Sequence, residues 1–285
     1  MAQTASDLSS AGPGPADALP LQRYRRDDTP SPEGWNQTLE VLVAHRSVRA
    51  FRPDPLPEGA LETLVTAAQS AASSSNLQVW SLVAVEDPER KARLAALAGN
   101  QRHILEAPVF LVWLIDLHRL WALAGLRQAP SGALDYLETF LLGAVDTSLA
   151  AQNAVVALES QGLGAVYIGG IRNKPREVAA ELGLPPRVFP LLGLALGWPD
   201  AARPAAVKPR LPQASVLHRE RYNWGEAQTQ AAWDYNEVLR SFQREQAMPE
   251  IDWTEQAGNR TRGPESMAGR HELRQVLADL GFELK

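Results

Sequence analysis

Apolar residues recur at helical spacing in several separate stretches of this chain, and short contiguous apolar runs lie between them. In "WNQTLEVLVAHRS", Leu39, Leu42, Val43 and Arg46 share one helical face. Thr38 is a candidate N-cap, and the helix is expected to end before Pro53. "PEGALETLVTAAQSA" predicts a second helix, with Pro57 near its first turn and Leu61, Leu64, Val65 and Ala68 on one stripe. It runs into "SSSN", a loop. "WSLVAVED" and "APVFLVWLID" predict strands, with the helix "PERKARLAALAG" between them stopping at Gly99. From about Ser131 to Gln161 the pattern predicts one long helix, roughly 45 Å at 1.5 Å per residue. It is apolar over most of its circumference between Leu137 and Leu158, so it belongs in a core or a subunit interface. "GAVYIGG" then predicts a short strand, "KPREVAAELGLP" a helix stopping at Gly183, and "VFPLLGLALGWP" a central strand. After Pro199 come a proline-rich link and a helical tail. Helices around about four strands make an α+β fold, with too little β-α-β alternation for a doubly wound sheet.

The first 34 residues hold five prolines and many small or acidic residues, which predicts a disordered or loosely attached extension. They lack the basic start and apolar core of a signal peptide, and no contiguous apolar run approaches a membrane span. With 285 residues the chain can bury a substantial core. A net charge of −5 disfavours a broad nucleic-acid surface but leaves room for a local basic pocket. There is no cysteine, which removes thiolate nucleophiles, Fe–S clusters and cysteine zinc sites and fits a cytoplasmic protein.

Familiar catalytic layouts are missing: there is no GxSxG, no HExxH and no Walker motif, and the glycines of "GLGAVYIGG" do not make a dinucleotide fingerprint. The five histidines form no i, i+4 pair, so no metal site is expected. Four polar clusters remain: His45, Arg46, Ser47 and Arg49; Ser73, Ser74, Ser75, Asn76 and Gln78; Gly169 and Gly170 at a strand exit; and Lys208 with Arg210 in "KPRLP". Two are cationic and suit a phosphate. The serine loop offers hydroxyls and backbone N–H groups, and the glycine pair lets a flat ring approach the backbone. Together they describe a phosphorylated planar ligand. Taken singly, each also reads as a solvated helix end, a loop or a turn.

"HRSVRAF", "SSSNLQVW", "AVDTSLAAQNAVVALESQGLGAVYIGGIRN", "VFPLLGLALGWP" and "KPRLP", in this order and spacing, closely resemble the flavin-dependent nitroreductase superfamily. Within it they resemble the oxygen-insensitive NADPH nitroreductase and flavin reductase branch, the major type. The likeness covers about residues 36–222.

The resemblance implies a central mixed, mostly antiparallel sheet flanked by helices, in an intertwined homodimer whose long interface helix is the one at 131–161. It implies non-covalent FMN, NADPH as donor, and ping-pong two-electron reduction of nitroaromatics, quinones or free flavins through flavin N5, with no side-chain acid or base. It divides the chain into the extension at 1–34, an FMN-binding domain at 35–222, and a helical tail with a basic loop at 223–285 belonging to the same domain. By matching position, His45, Ser47 and Arg210 are phosphate ligands, with Arg46 in the same basic cluster and Lys208 near the phosphate or ribityl end. Arg49 lies beside the N1–O2 edge, where a fixed cation stabilises the charge of a reduced ring. Ser73, Ser74, Ser75 and Asn76 belong to the loop that a second subunit contributes, and Gln78 is also cofactor-binding. Gln101 contacts the pyrimidine edge, and Tyr167, Ile168, Gly169 and Gly170 run beside N5. Asn76 departs from the aromatic residue of that branch. For the 2′-phosphate of NADPH, Arg260 and Arg262 in "GNRTRG" come first and Arg270 next, with Arg244 also in the tail. The competing reading is a non-catalytic FMN-binding redox sensor or flavin store on the same fold. Reductive dehalogenation or flavin fragmentation is a third.

Overall fold

The computed structural model describes residues 14–26 and 33–285. In chain order the helices of the first half are α1 (Pro15–Tyr24), α2 (Gln37–Ala44) and α3 (Ala60–Gln69), followed by strand β1 (Trp80–Val85), α4 (Pro88–Leu97), α5 (Arg102–Glu106), β2 (Val109–Asp116) and α6 (His118–Arg127). The second half holds α7 (Leu137–Ser160), β3 (Gly164–Ile168), α8 (Pro175–Glu181), β4 (Val188–Gly197), α9 (Glu226–Glu245), α10 (Trp253–Thr261) and α11 (Leu273–Asp279). These form two compact units: residues Met1–His45 with Ala206–Asn259, and Arg46–Ala205 with Arg260–Lys285.

The larger unit is built on a sheet in the order β1-β2-β4-β3, every neighbouring pair antiparallel. β2 is buried along its whole length because both faces of the sheet are covered. Phe110, Val112 and Leu114 join Leu94, Ile104 and Ile168 on one side. Val109, Leu111 and Trp113 join Leu64, Ala150, Ala154 and Leu158 on the other. The register between β2 and β4 slips at Trp113/Leu114, beside Pro190, which has no N–H to give to the ladder. The carbonyl of Leu191 at this slip accepts from Arg172 Nη1.

Helix α7 has two apolar faces. One carries Gly143, Asp146, Thr147, Ala150, Ala151, Ala154 and Leu158 into the sheet. Gly143 lets it approach, since a Cβ there would lie 2.6 Å from Ile115 Cγ2. The other presents Leu137, Leu141, Val145 and Leu149, 43% to 57% exposed and four residues apart. By length and composition α7 could cross a bilayer, which the run-length reading passed over; 44% of its most apolar window is buried within the protein.

The smaller unit centres on α9, whose buried Tyr235, Leu239 and Phe242 recur at helical spacing and pack with Leu211 and Trp253. Asn236 joins α9 to the start of α10: its Nδ2 donates to Thr254 Oγ1 at 3.0 Å and its Oδ1 accepts from the Thr254 N–H at 3.1 Å.

Several elements differ from the sequence reading. α2 is capped by Asn36, whose Oδ1 accepts the Leu39 N–H at 3.1 Å, so the cap is two residues before Thr38. α3 begins at Ala60 after Gly59 (φ 76°), leaving Pro57 in the preceding turn, where its carbonyl accepts the Ala60 N–H. The long helix starts at Leu137, after a 3-10 turn over Gly132–Asp135, and at 24 residues spans about 36 Å. α6 was not anticipated. A loose extension over 1–34 is corrected for 14–26, where α1 forms and buries Pro20 and Arg23; residues 1–13 and 27–32 lie outside the described residues.

Candidate active site

The stretch after α2 is extended rather than helical. Ser47 pairs with Ala165 in a parallel bridge, and Phe51 with Pro199 in an antiparallel one. The Val48 N–H donates to the Ala165 carbonyl at 2.9 Å. Side chains therefore alternate: Val48 and Ala50 are buried, while half-buried Ser47 and exposed Arg49 share the opposite face. This holds Arg49 beside β3, and its Nη1 meets the Ser47 carbonyl at 3.5 Å. Arg46 is exposed.

At the end of β3 the chain turns through Gly169 and Gly170. A Cβ on Gly170 would lie 2.3 Å from the Ala98 carbonyl oxygen and 2.8 Å from Gln101 Nε2, so only glycine fits against the 98–101 turn. Gln101 Nε2 itself donates to the Ala98 carbonyl at 3.1 Å. Gly169 faces two cations: a Cβ there would lie 3.5 Å from Arg172 Nη2 and 3.8 Å from Arg270 Nη1. Burial, and then the Arg270 charge, hold the Arg172 guanidinium below its ordinary value. Burial, and then Arg260, do the same to Arg270. These are cations pressed together, an arrangement that an anion relieves. In α5, His103 has a buried Nε2 with no hydrogen-bond partner. Burial and the Arg49 charge lower its pKa, with Glu106 opposing. Tyr167 is half-buried; its hydroxyl donates to Gln152 Oε1 at 3.4 Å, and burial followed by Glu159 raises its pKa well beyond the usual phenol range. Ile168 is buried in the core.

The serine loop is built differently from the sequence reading. Ser73 Oγ donates to Asp146 Oδ2 at 2.8 Å and accepts the Gln78 N–H at 3.0 Å, so its hydroxyl is engaged within the protein. The Ser74 N–H reaches both Asp146 oxygens at 3.1 and 3.2 Å. Asp146 is 2% exposed, in the middle of α7. Ser75, Asn76 and Gln78 all take left-handed backbone (φ 49°, 54° and 52°), and with Ser74 they are exposed. Arg119 closes the loop's far end, donating to the carbonyls of Gln78 and Trp80 at 2.9 and 3.1 Å.

In the smaller unit, His45 is the C-cap of α2, and Lys208 and Arg210 are exposed. Arg210 Nη1 turns back onto the carbonyls of Lys208 and Pro209 at 3.1 and 3.2 Å, and Tyr235 donates to the Pro209 carbonyl at 2.7 Å.

The tail arginines differ in what they touch. Arg262 pairs with Glu265 at 3.2 Å, and Arg244 with Glu237 and Glu250 at 2.7 and 2.8 Å. Arg260 is bound to the Ser266 carbonyl. Arg270, whose Nε donates to Met267 at 2.9 Å, is the one that reaches Gly169. Sequence reasoning passed over Arg172, His103 and Asp146. Only Asp146 carried a signal, as a carboxylate inside an apolar helix.

A model of the Nitroreductase family matches residues 42–198, and one of the Nitroreductase family, C-terminal domain, matches residues 208–285. This chain belongs to the nitroreductase family. It is 39% identical over 228 residues to a Bacillus subtilis protein named FMN reductase (NADPH), covering 79% of this chain and 91% of that one. It is 43% identical over 185 residues to the oxygen-insensitive NADPH nitroreductase of Salmonella typhimurium, covering 65% and 74%. Among solved structures, NfrA2 of B. megaterium superposes with a TM-score of 0.82 at 38% identity, covering 88% of this chain and all of that one. The nitroreductase fold expected from the five motifs is the fold observed.

Proposed function

We propose that this nitroreductase is an NADPH-dependent FMN oxidoreductase that reduces nitroaromatics, quinones or free flavins by two electrons at a time. The observation that carries this is the half-buried turn at Gly169–Gly170, where Gly169 lies beside Arg172 and Arg270 and Gly170 packs against Ala98 and Gln101. Such a donor set fits a planar group that gains negative charge on reduction. When bound, FMN supplies the centre that accepts and returns a hydride.

The chain's own residues bind and tune. Arg49, held on an extended segment beside β3, offers a fixed cation to the N1–O2 edge. Gln101 meets the pyrimidine edge. The backbone of Tyr167, Ile168, Gly169 and Gly170 lines the N5 side, since glycine there keeps side-chain bulk away. His45, Ser47 and Arg210 take the phosphate, with Arg46 and Lys208 beside them. Arg270, which lies beside Gly169, takes the 2′-phosphate of NADPH ahead of Arg260, bound to the Ser266 carbonyl, and Arg262, paired with Glu265. Donor and oxidant use one face in turn, so the kinetics are ping-pong. The apolar stripe Leu137, Leu141, Val145 and Leu149 supports a homodimer. In it the exposed Ser74, with Ser75, Asn76 and Gln78 on left-handed backbone, serves the partner's site. We place the enzyme in the cytoplasm.

The purified protein is expected to show a flavin absorbance band that NADPH bleaches without oxygen and that a nitroaromatic or quinone restores. Bound FMN that NADPH leaves oxidised would instead identify a flavin store or sensor.

A further inference from the structure

Helix α1 precedes the first residue matched by either nitroreductase family model. Its Arg23 is nevertheless buried, with 8% exposure. Arg23 Nη1 donates to the Lys208 carbonyl at 2.7 Å, and Nη2 donates to the carbonyls of Val43 and His45 at 2.8 and 2.6 Å. The contact is reciprocal, for the Arg210 N–H donates to the Arg23 carbonyl at 2.9 Å. One guanidinium thus joins the end of α2 to the "KPR" segment, whose Lys208 lies 185 positions after Arg23 in the chain.

The chemistry suits the place. The last carbonyls of a helix lack internal partners and carry the negative end of its dipole, so a forked cation both satisfies and neutralises them. The Lys208 carbonyl also receives Arg210 Nη1 at 3.1 Å. The end of α1 is fixed in turn by Arg25, which binds both carboxylate oxygens of Glu245 at 2.6 and 2.7 Å and lies 5.3 Å from the Phe242 ring centre.

We propose that Arg23 is a positioning residue for the flavin phosphate: it sets the backbone from which His45, Lys208 and Arg210 reach that group. Arg23 donates to the backbone carbonyls of Val43, His45 and Lys208, so its effect on the phosphate passes through these residues. Charge-assisted phosphate bonds depend on geometry, and supporting groups that fix the backbone are what keep it. This inference rests on the proposed function, in which His45 and Arg210 hold the phosphate of FMN.

The test compares FMN with riboflavin, which lacks the phosphate. Equilibrium binding of each to flavin-free full-length protein would be measured by flavin fluorescence for wild type, Arg23→Ala and Arg23→Lys, with melting temperatures alongside. Arg23→Ala is expected to weaken FMN binding about tenfold while riboflavin affinity stays within about twofold, the scale of one charge-assisted hydrogen bond. Arg23→Lys should recover only part, because an ammonium lacks the fork. Should Arg23→Ala fail to fold, Arg23→Lys carries the same comparison. A parallel loss of both flavins, or unchanged FMN affinity, overturns the inference while leaving the proposed function standing. A wild-type protein that binds no FMN overturns the proposed function instead.

Discussion

Gly170 stands against Ala98 so closely that a Cβ on the glycine would lie 2.3 Å from the Ala98 carbonyl oxygen. A backbone oxygen does not move aside as a flexible side chain does. Gly170→Ala is therefore expected to destabilise the protein by about 2 kcal/mol and to weaken flavin binding. Gly125→Ala is the control: Gly125 is in α6 with nothing within 4 Å of a Cβ, and alanine there should be neutral or stabilising by up to about 1 kcal/mol. Denaturant unfolding of both variants checks this, and equal losses would refute the packing account.

Asp146 holds the serine loop through Ser73 Oγ and the Ser74 N–H. Asp146→Ala strands buried donors, for a cost of about 1–3 kcal/mol. Hydrogen exchange should rise first in amides 73–78, where three residues are left-handed. Protection lost evenly over α7 would show that the carboxylate supports the helix rather than the loop.

Arg49 and Arg210 should separate on substitution. Arg49→Ala is expected to slow anaerobic reduction by NADPH more than it weakens FMN binding, because its cation serves charge that appears on reduction. Arg210→Ala should do the reverse. Titration with FMN and stopped-flow reduction of each variant measure the two effects, and identical profiles would end the division of roles.

Arg270→Ala should lower kcat/KM for NADPH by roughly 10- to 100-fold, the worth of a charge-assisted hydrogen bond. NADH, lacking the 2′-phosphate, should change little. Steady-state comparison of the two donors decides it. An equal loss with both would assign Arg270 to the ring beside Gly169 instead.

Asp135 accepts from Arg187 Nη2 at 2.7 Å and from Lys285 Nζ at 3.3 Å. The Arg187 hydrogen bond, with Lys285 assisting, holds its carboxyl below the ordinary 3.8. A depressed carboxylate contributes stability above its ordinary pKa and loses it as pH falls through the folded value. Melting temperature should thus fall below about pH 4, and Asp135→Asn should lie lower at neutral pH and show a shallower acid limb. An unchanged acid slope would remove Asp135 as a cause.

Much of the fold was legible because its signals are local. The unbroken apolar run of β2 identifies a strand covered on both faces, and Gly99 and Gly183 end α4 and α8 in left-handed turns (φ 88° and 64°). Errors arose where two local signals compete. Asn36 and Thr38 are both good caps, and α6 exposes Trp121, Leu123 and Leu126, which blurs its amphipathic pattern. The site was legible as motifs but not as partnerships: Ser73 is named by its loop, yet only the fold reveals that Asp146 engages its hydroxyl.

By itself, the sequence determined the four strands in order, the helices around them other than α1, α5 and α6, the long apolar helix and the motifs that identify the family. Periodicity and turn chemistry act over a few residues and are written in the chain. Only the tertiary structure decided which charges meet. Arg270 reaches Gly169 while Arg262 is paired with Glu265, and Arg23 clasps carbonyls on two distant segments. A long side chain's partner depends on what folding brings within about 3 Å of its end, and spacing along the chain does not encode that distance.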